Sequence, residues 1–413
     1  MRDAHRDRGG GALSAATVSP SLVRGFHFPA EPITLRPWTG SPAGPGVYIE
    51  PGVLATPETV AIPFTQPEPG VVRLAWDPEA SVQRLVTEAY VPAGRPWHSR
   101  LAVPSGWIPS AVREALLRAS VAPRLRAEGF PGWPVESLVE DIRTIVRAAE
   151  AASGRRRSPE PLWPGGHTWA AVLSHDFDSL DAFRHDRWKA LAEIEEAHGL
   201  RSSWHVCSEH LPAAFRALET LAARGHEIAW HGPRHDYRFA FRPTERIRRE
   251  AAAAALSLGA FAPRGFRSPN FLRTPGLLAG LEDVFGYDSS ARDTAAELFG
   301  APGRQGCCTV FPFFHGRLLE LPVTIPDDLS IRCLYGDDAE RIATVQAGKL
   351  GWIRSRAGMA LALTHPESWI SVTPGALKAY GKLVEAVAAD PDAWRALPRD
   401  VEAWWRGRSG APT

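Results

Sequence analysis

With 413 residues, 44% of them hydrophobic and 23% charged, the chain is long enough for one large domain and a smaller one, and its composition excludes disordered, collagen-like and coiled-coil classes. Forty-seven Lys+Arg against 46 Asp+Glu leave a formal charge of +1, so there is no global field to hold nucleic acid or anionic lipid and no nucleic-acid partner is expected. No apolar run approaches the ~20 residues of a membrane span, and the opening MRDAHRDRGGGALSAATVSP lacks the apolar core of a secretory signal, so a cytoplasmic protein is expected. Cys207, Cys307, Cys308 and Cys333 form no C-x-x-C pair and are expected to be buried thiols, the adjacent Cys307-Cys308 carrying only a weak redox or metal signal.

Residues 1–20 read as disordered. From there to about residue 110 the chain is rich in Pro and Gly, with apolar runs at Val47-Tyr48-Ile49 and Val71 to Trp76 that read as short strands. Ser110 is placed to cap a helix over Ala111 to Ala119, and Ser137 a second over Leu138 to Ala152, where Leu138, Ile142, Ile145 and Val146 recur at helical spacing. The rigid aromatic loop Phe130-Pro131-Gly132-Trp133-Pro134 between them is expected to pack on a neighbouring domain. Residues 21–153 therefore read as an α+β domain, and the breakers and three arginines of Ser153 to Pro161 put a linker at 154–164.

From residue 165 to 413 apolar strands alternate with amphipathic helices in about seven units, the pattern of a parallel β/α fold. Strands are expected at Trp169 to Ser174, Ser202 to Val206, Glu227 to Trp230, Gly265 to Arg267, Leu318 to Val323 and Met359 to Thr364. Helices are expected over Asp181 to His198, Pro212 to Arg224, a Thr244-capped stretch to Leu258, Ala339 to Arg356, Pro374 to Ala389 and Asp392 to Arg406. Trp394, Trp404 and Trp405 would form an apolar seam on the last of these.

Parallel β/α folds place their chemistry at the carboxyl ends of strands, and four such ends here carry reactive side chains. The first delivers Ser174-His175-Asp176-Phe177-Asp178, in which one carboxylate can bind a cation while the other stays free as a base. The next carries His231 and His235; with an aspartate they make three ligands and leave coordination positions open, as in a catalytic metal site. Arg267 presents a guanidinium fork able to orient a carboxylate that must stay ionised. His365 offers an imidazole able to donate a proton near neutral pH. His175 suits a core role better than a site role, and the Thr324 and Asp327-Asp328 region after Glu320 is placed for substrate contacts.

The ordered set Ser174-His175-Asp176-Phe177-Asp178, His231-x-x-x-His235, Arg267-Ser268-Pro269 and Leu363-Thr364-His365 resembles the polysaccharide deacetylase family, also called the NodB-homology family or carbohydrate esterase family 4, over roughly residues 165 to 390. The resemblance implies an α/β fold, a distorted barrel of about seven β/α units, and a divalent metal, usually zinc, that hydrolyses acetamido groups on sugars. It also implies Asp176 as base, Asp178, His231 and His235 as metal ligands, Arg267 as holder of the base and His365 as general acid. A backbone N–H after Pro269 would add an oxyanion donor, and Asp288 would back Arg267 or His365. The chain differs from the commonest family form in two places. Its aspartates are separated by Phe177, as in an Asp-x-Asp branch that includes hydrolases of non-sugar amides, and Asn270 stands where tyrosine is frequent.

The leading expectation is a metal-dependent deacetylase of an N-acetylated sugar, glycan or glycan precursor, with a small non-sugar amide as the alternative substrate. A catalytically silent carbohydrate-binding barrel and a non-haem iron oxygenase built on the same two-His-one-carboxylate set are competing readings. The donor set accepts Zn²⁺, Co²⁺, Ni²⁺, Mn²⁺ or Fe²⁺.

Overall fold

The computed structural model describes residues 33–62, 64–91, 110–155, 161–296 and 304–409. Residues 1–20 and the 156–160 part of the linker lie outside the described residues, as do those just before Ser110.

The amino-terminal part contains β1 (Leu35–Pro37), β2 (Gly46–Ile49), β3 (Thr65–Glu68) and β4 (Val71–Leu74), forming a sheet in the order β1-β2-β4-β3. Helix α1 (Pro78–Val86) begins at Asp77, whose carboxylate accepts from the N–H of Ala80. Helices α2 (Ser110–Arg126) and α3 (Leu138–Ala152) follow. Helix α2 extends well beyond Ala119, and Ser137 does not cap α3: its hydroxyl donates to Asp141 at 2.6 Å instead. The apolar face of α3 (Leu138, Ile142, Val146) packs on Val72, Leu74 and Trp76 in a core that also takes in Ala291, Cys307, Cys308 and Phe313. This unit therefore shares its hydrophobic interior with the rest of the chain. The Phe130 to Pro134 loop does pack: the Gly132 carbonyl accepts from Thr294 Oγ1 at 2.7 Å, and Trp133 joins a cluster containing Leu117, Cys333 and Trp369.

The remainder runs β5 (Trp169–Phe177), α4 (Trp188–Ala197), β6 (Ser203–Val206), α5 (Leu211–Ala223), β7 (Glu227–Trp230), α6 (Thr244–Ser257), β8 (Gly265–Phe266), α7 (Pro275–Leu281) and β9 (Tyr287–Asp288). A short antiparallel pair, β10 (Ala295–Ala296) and β11 (Arg304–Gln305), precedes β12 (Phe313–His315), β13 (Leu318–Glu320), α8 (Asp328–Tyr335), α9 (Ala339–Ser355), β14 (Met359–Thr364), α10 (Pro374–Ala389), β15 (Ala393–Arg395) and α11 (Pro398–Ser409). The large sheet has the order β12-β13-β9-β8-β7-β6-β5-β14, parallel except for β12, with β15 also beside β5. Every residue of β5 is buried, as expected for a central strand covered on both faces. N–H groups of Thr324 and Ile325 donate to the Leu361 carbonyl at 3.0 Å, bringing the two ends of the sheet together into a curled barrel. Gly265 is obligatory in β8, since a Cβ there would fall 1.9 Å from Tyr287 Cζ.

Three elements differ from expectation. The Asp181 to His198 stretch is not one helix: Leu180–Asp186 is 3₁₀ with His185 at φ +53, and the α-helix begins only at Trp188. Thr244 lies inside α6, whose capping residue is Pro243 and has no side-chain cap. Asp392 to Arg406 divides into β15 and α11, which opens at Pro398, a first-turn position that proline favours. Trp394 is thus on a strand, where it meets Trp163 at 6.0 Å between ring centres, while Trp405 meets the same ring from α11 at 5.4 Å. Among the described residues no helix is long and apolar enough to cross a membrane, and all four cysteines are buried free thiols.

Candidate functional site

The carboxyl ends of β5, β7, β8 and β14 converge. Side chains alternate across a strand, so Ser174 and Asp176 of β5 face the barrel interior and meet Arg267, whereas His175 faces the helices. Arg267 is almost fully buried, and each of its nitrogens is used: Nε donates to the Ser289 carbonyl at 2.8 Å, Nη1 to Asp176 Oδ1 at 2.8 Å, and Nη2 to Ser174 Oγ at 3.0 Å and Ser289 Oγ at 2.8 Å. A planar fork fixed at four points holds the carboxylate in one orientation. Burial alone would raise the Asp176 pKa, but Arg267, with His231, His205 and His365, outweighs it and holds the group down at about 2.

Asp178 sits between two imidazoles. Its Oδ1 lies 3.1 Å from His231 Nε2 and its Oδ2 3.1 Å from His235 Nε2. His231 Nδ1 is 2.9 Å from the Arg267 carbonyl, which can only accept, so Nδ1 carries the proton and Nε2 presents its lone pair. Gly232 has φ +83 and packs against Pro269, with only 3.2 Å between a Cβ built there and Pro269 Cδ. A left-handed glycine is what lets the chain turn from one histidine to the next at this close approach.

His365 closes the group from β14, its Nε2 3.6 Å from Asp178 Oδ2. Asp328, the first residue of α8, grips it twice: Oδ1 lies 2.7 Å from His365 Nδ1 and Oδ2 accepts the His365 N–H at 2.6 Å, with Ser371 Oγ donating to the same oxygen. Burial opposes the charged imidazolium, but Asp328 and Asp178 push its pKa well above the ordinary histidine value. Donor atoms of Asp178, His231 and His235 all lie within 4.8 Å of one another, as do those of Asp176, Asp178 and His365. Two imidazoles and a carboxylate converging in this way, one imidazole with its tautomer fixed by a carbonyl, suit a divalent ion.

The structure therefore brings Asp176, Asp178, His231, His235, Arg267 and His365 together. His175 lies on the other face of the sheet, stacked on Trp204 at 3.9 Å and bound to Glu195 Oε1 at 2.6 Å and Thr364 Oγ1 at 2.7 Å. Asp288 hydrogen-bonds neither Arg267 nor His365. It accepts from Ser290 Oγ at 2.5 Å, and that hydroxyl in turn accepts the Ser268 N–H at 2.8 Å. Asp288 also pairs with Glu320, both carboxyls pushed up by burial. Pro269 and Asn270 follow Arg267 in the wall of the site, Asn270 at φ +54. Asp327 caps α8 through the Ser330 N–H at 2.9 Å rather than meeting the cluster.

Two residues here, His205 and Glu367, were not anticipated as parts of the site, and Asp328 takes a role other than the one expected. His205, beside Asp176 in the β5–β6 register, has Nδ1 3.3 Å from Asp176 Oδ1 and is kept neutral by burial and Arg267. Asp328 was expected only as a substrate contact. Glu367 accepts from the N–H and hydroxyl of Ser179, at 3.2 and 3.3 Å, and so ties the strand end of His365 to that of Asp178. The signal for His205 was its place on a central strand in register with Asp176; Glu367 offered none.

No family model matches the chain, and no curated protein sequence does. Solved structures do. A PuuE allantoinase matches with TM-score 0.50 and 13% identity, over 61% of this chain and 94% of that one. Polysaccharide deacetylase candidates from Mycobacterium smegmatis and Pseudomonas aeruginosa PAO1 match at TM-scores of 0.49, with 21% and 14% identity, over 61% of this chain and 96% and 95% of theirs. The chain shares with the allantoinase the fold of a deformed (β/α) barrel, and it carries at the carboxyl ends of its strands an Asp/His cluster able to hold a metal.

Proposed function

We propose that this protein is a metal-dependent hydrolase that removes N-acetyl groups from an N-acetylated sugar, glycan or glycan precursor. The observation that carries the reading is the pairing of a carboxylate locked by Arg267 with an imidazole locked by Asp328, both close to the Asp178, His231 and His235 cluster. These are the parts an amide hydrolysis needs: a proton acceptor, a proton donor and an electrophile site between them.

Asp178, His231 and His235 would hold the ion, zinc first among those the donor set accepts. When bound, a divalent ion polarises an amide carbonyl and lowers the pKa of water from ~15.7 toward ~7. Arg267 keeps the Asp176 carboxylate ionised until the attack, when Asp176 takes the proton of the attacking water at the oxygen not engaged by Arg267. The backbone N–H after Pro269 would donate to the developing oxyanion. His365 carries its proton at Nε2, held there by Asp328 on Nδ1, and passes it to the departing amine. Four free buried thiols accord with a reducing, cytoplasmic setting.

Acetate release from N-acetylated monosaccharides and chitooligosaccharides, assayed with and without added Zn²⁺, tests this function. Metal-dependent acetate release that Asp176→Asn abolishes is the expected result. Turnover confined to non-sugar amides would move the substrate class, and ligand binding without turnover would overturn the enzyme reading.

A further inference from the structure

The segment after Arg267 is bent against its backbone preferences. Asn270 and Phe271 both take left-handed conformations, at φ +54 and +56. Asparagine tolerates this, but a bulky residue such as phenylalanine does so only when its surroundings impose it. The imposing group is Arg273, whose Nη1 donates to the Phe271 carbonyl at 2.9 Å and to the Ser290 carbonyl. Arg292 lies over the Phe271 ring at 4.3 Å.

The second nitrogen of Arg273 points out of the barrel. Nη2 is ion-paired with Oε2 of Glu88, which lies just past the end of α1 in the amino-terminal unit, with both side chains largely buried. Glu88 is itself left-handed, at φ +55, its N–H held by the Leu85 carbonyl at 3.0 Å. Two residues on, Tyr90 Oη donates to the Gly306 carbonyl at 2.5 Å and fixes the same turn against the barrel. A partly buried carboxylate thus reaches from one part of the molecule to the arginine that bends a wall of the site in the other.

We propose that Glu88 is a positioning residue of the active site: through Arg273 it holds the Asn270–Phe271 bend, and with it the Arg267–Pro269 segment, in register with His231. This rests on the hydrolase reading above. The coupling route is short. The Arg267 carbonyl fixes His231 Nδ1 at 2.9 Å, Pro269 abuts Gly232, and Ser290, whose carbonyl Arg273 holds, receives the Ser268 N–H. The amino-terminal unit is on this view a part of the catalytic apparatus rather than an attached module.

The test uses Glu88→Gln and Glu88→Ala in the full chain. Hydrogen–deuterium exchange follows residues 268–273 against a control segment in α6, and steady-state kinetics use whichever acetamido substrate the parent hydrolyses. Faster exchange confined to 268–273 in cooperatively folded Glu88→Gln, with kcat lower by roughly 10- to 100-fold and KM little changed, is the expected result. Unchanged exchange overturns the proposal, and so does faster exchange with unchanged kcat. If Glu88→Ala fails to fold, Glu88→Gln decides alone. A parent chain that hydrolyses nothing tells against the hydrolase reading, while the exchange arm still decides whether Glu88 holds the bend.

Discussion

The two faces of β5 carry two buried polar clusters, one residue out of phase. On the outer face, His175 is bound at both nitrogens, and its partner Glu195 accepts from Ser202 Oγ at 2.6 Å and from Tyr380 Oη, while His226 continues the chain to Glu196 at 3.1 Å. Each group answers another, as a structural network must if its desolvation is to be offset. On the inner face the oxygens of Asp178 are flanked by the lone-pair side of His231 and by His235, and His205 Nε2 has no partner among the described residues. The difference shows what separates a site from a network in a buried sheet: donor atoms that converge on one point rather than on each other's protons.

The largest expected effect separates the faces by chemistry. Asp176→Asn keeps the shape of the inner cluster, and general-base loss lowers turnover of the folded fraction by roughly 10²- to 10⁴-fold. Retained activity would remove Asp176 from the mechanism. The matching change on the outer face, Glu195→Ala, leaves His175 buried without its carboxylate and costs about 3–5 kcal/mol of stability by urea unfolding. Metal content of the folded fraction is expected to stay at the parent level, and its loss would join the two clusters into one. Gly232→Ala forces a left-handed alanine against Pro269, costing about 1–2 kcal/mol and loosening metal retention by spreading His231 and His235. A variant as stable and as well metallated as the parent would show that the turn is not under constraint.

The smallest effect concerns the contact between the two parts of the chain. Glu140 on α3 accepts from Thr309 Oγ1 at 2.8 Å and the Val310 N–H at 3.1 Å, and burial raises its pKa from 4.5 to about 7 against those hydrogen bonds. The folded state therefore binds this proton more tightly than the unfolded one. Its contribution is full below about pH 4.5 and is lost as the pH rises through about 7. Glu140→Gln removes that part of the stability-versus-pH profile, and an unaltered profile would place the titration elsewhere.

Much of this site was legible from residue order because strand ends are chemical positions: Asp176, Asp178, His231, Arg267 and His365 each follow an apolar run. The alternation of β5 also contained the outward placement of His175, since it is one residue from Asp176. What was not legible depends on tertiary neighbours. Asp328 reads only as a substrate contact and becomes the anchor of His365 when α8 meets β14, and Glu88 lies 185 residues before Arg273. The division of Asp392 to Arg406 was visible in Pro398, which outranks the helical spacing of the tryptophans.

The metal centre is the most directly testable part of the proposed hydrolase. Elemental mass spectrometry of untagged protein purified without added metal, beside Asp178→Ala and His231→Ala, is expected to find about one divalent ion per parent chain and almost none in either variant. A parent chain that holds no ion after incubation with Zn²⁺ and desalting would contradict the proposed centre and the hydrolase built on it.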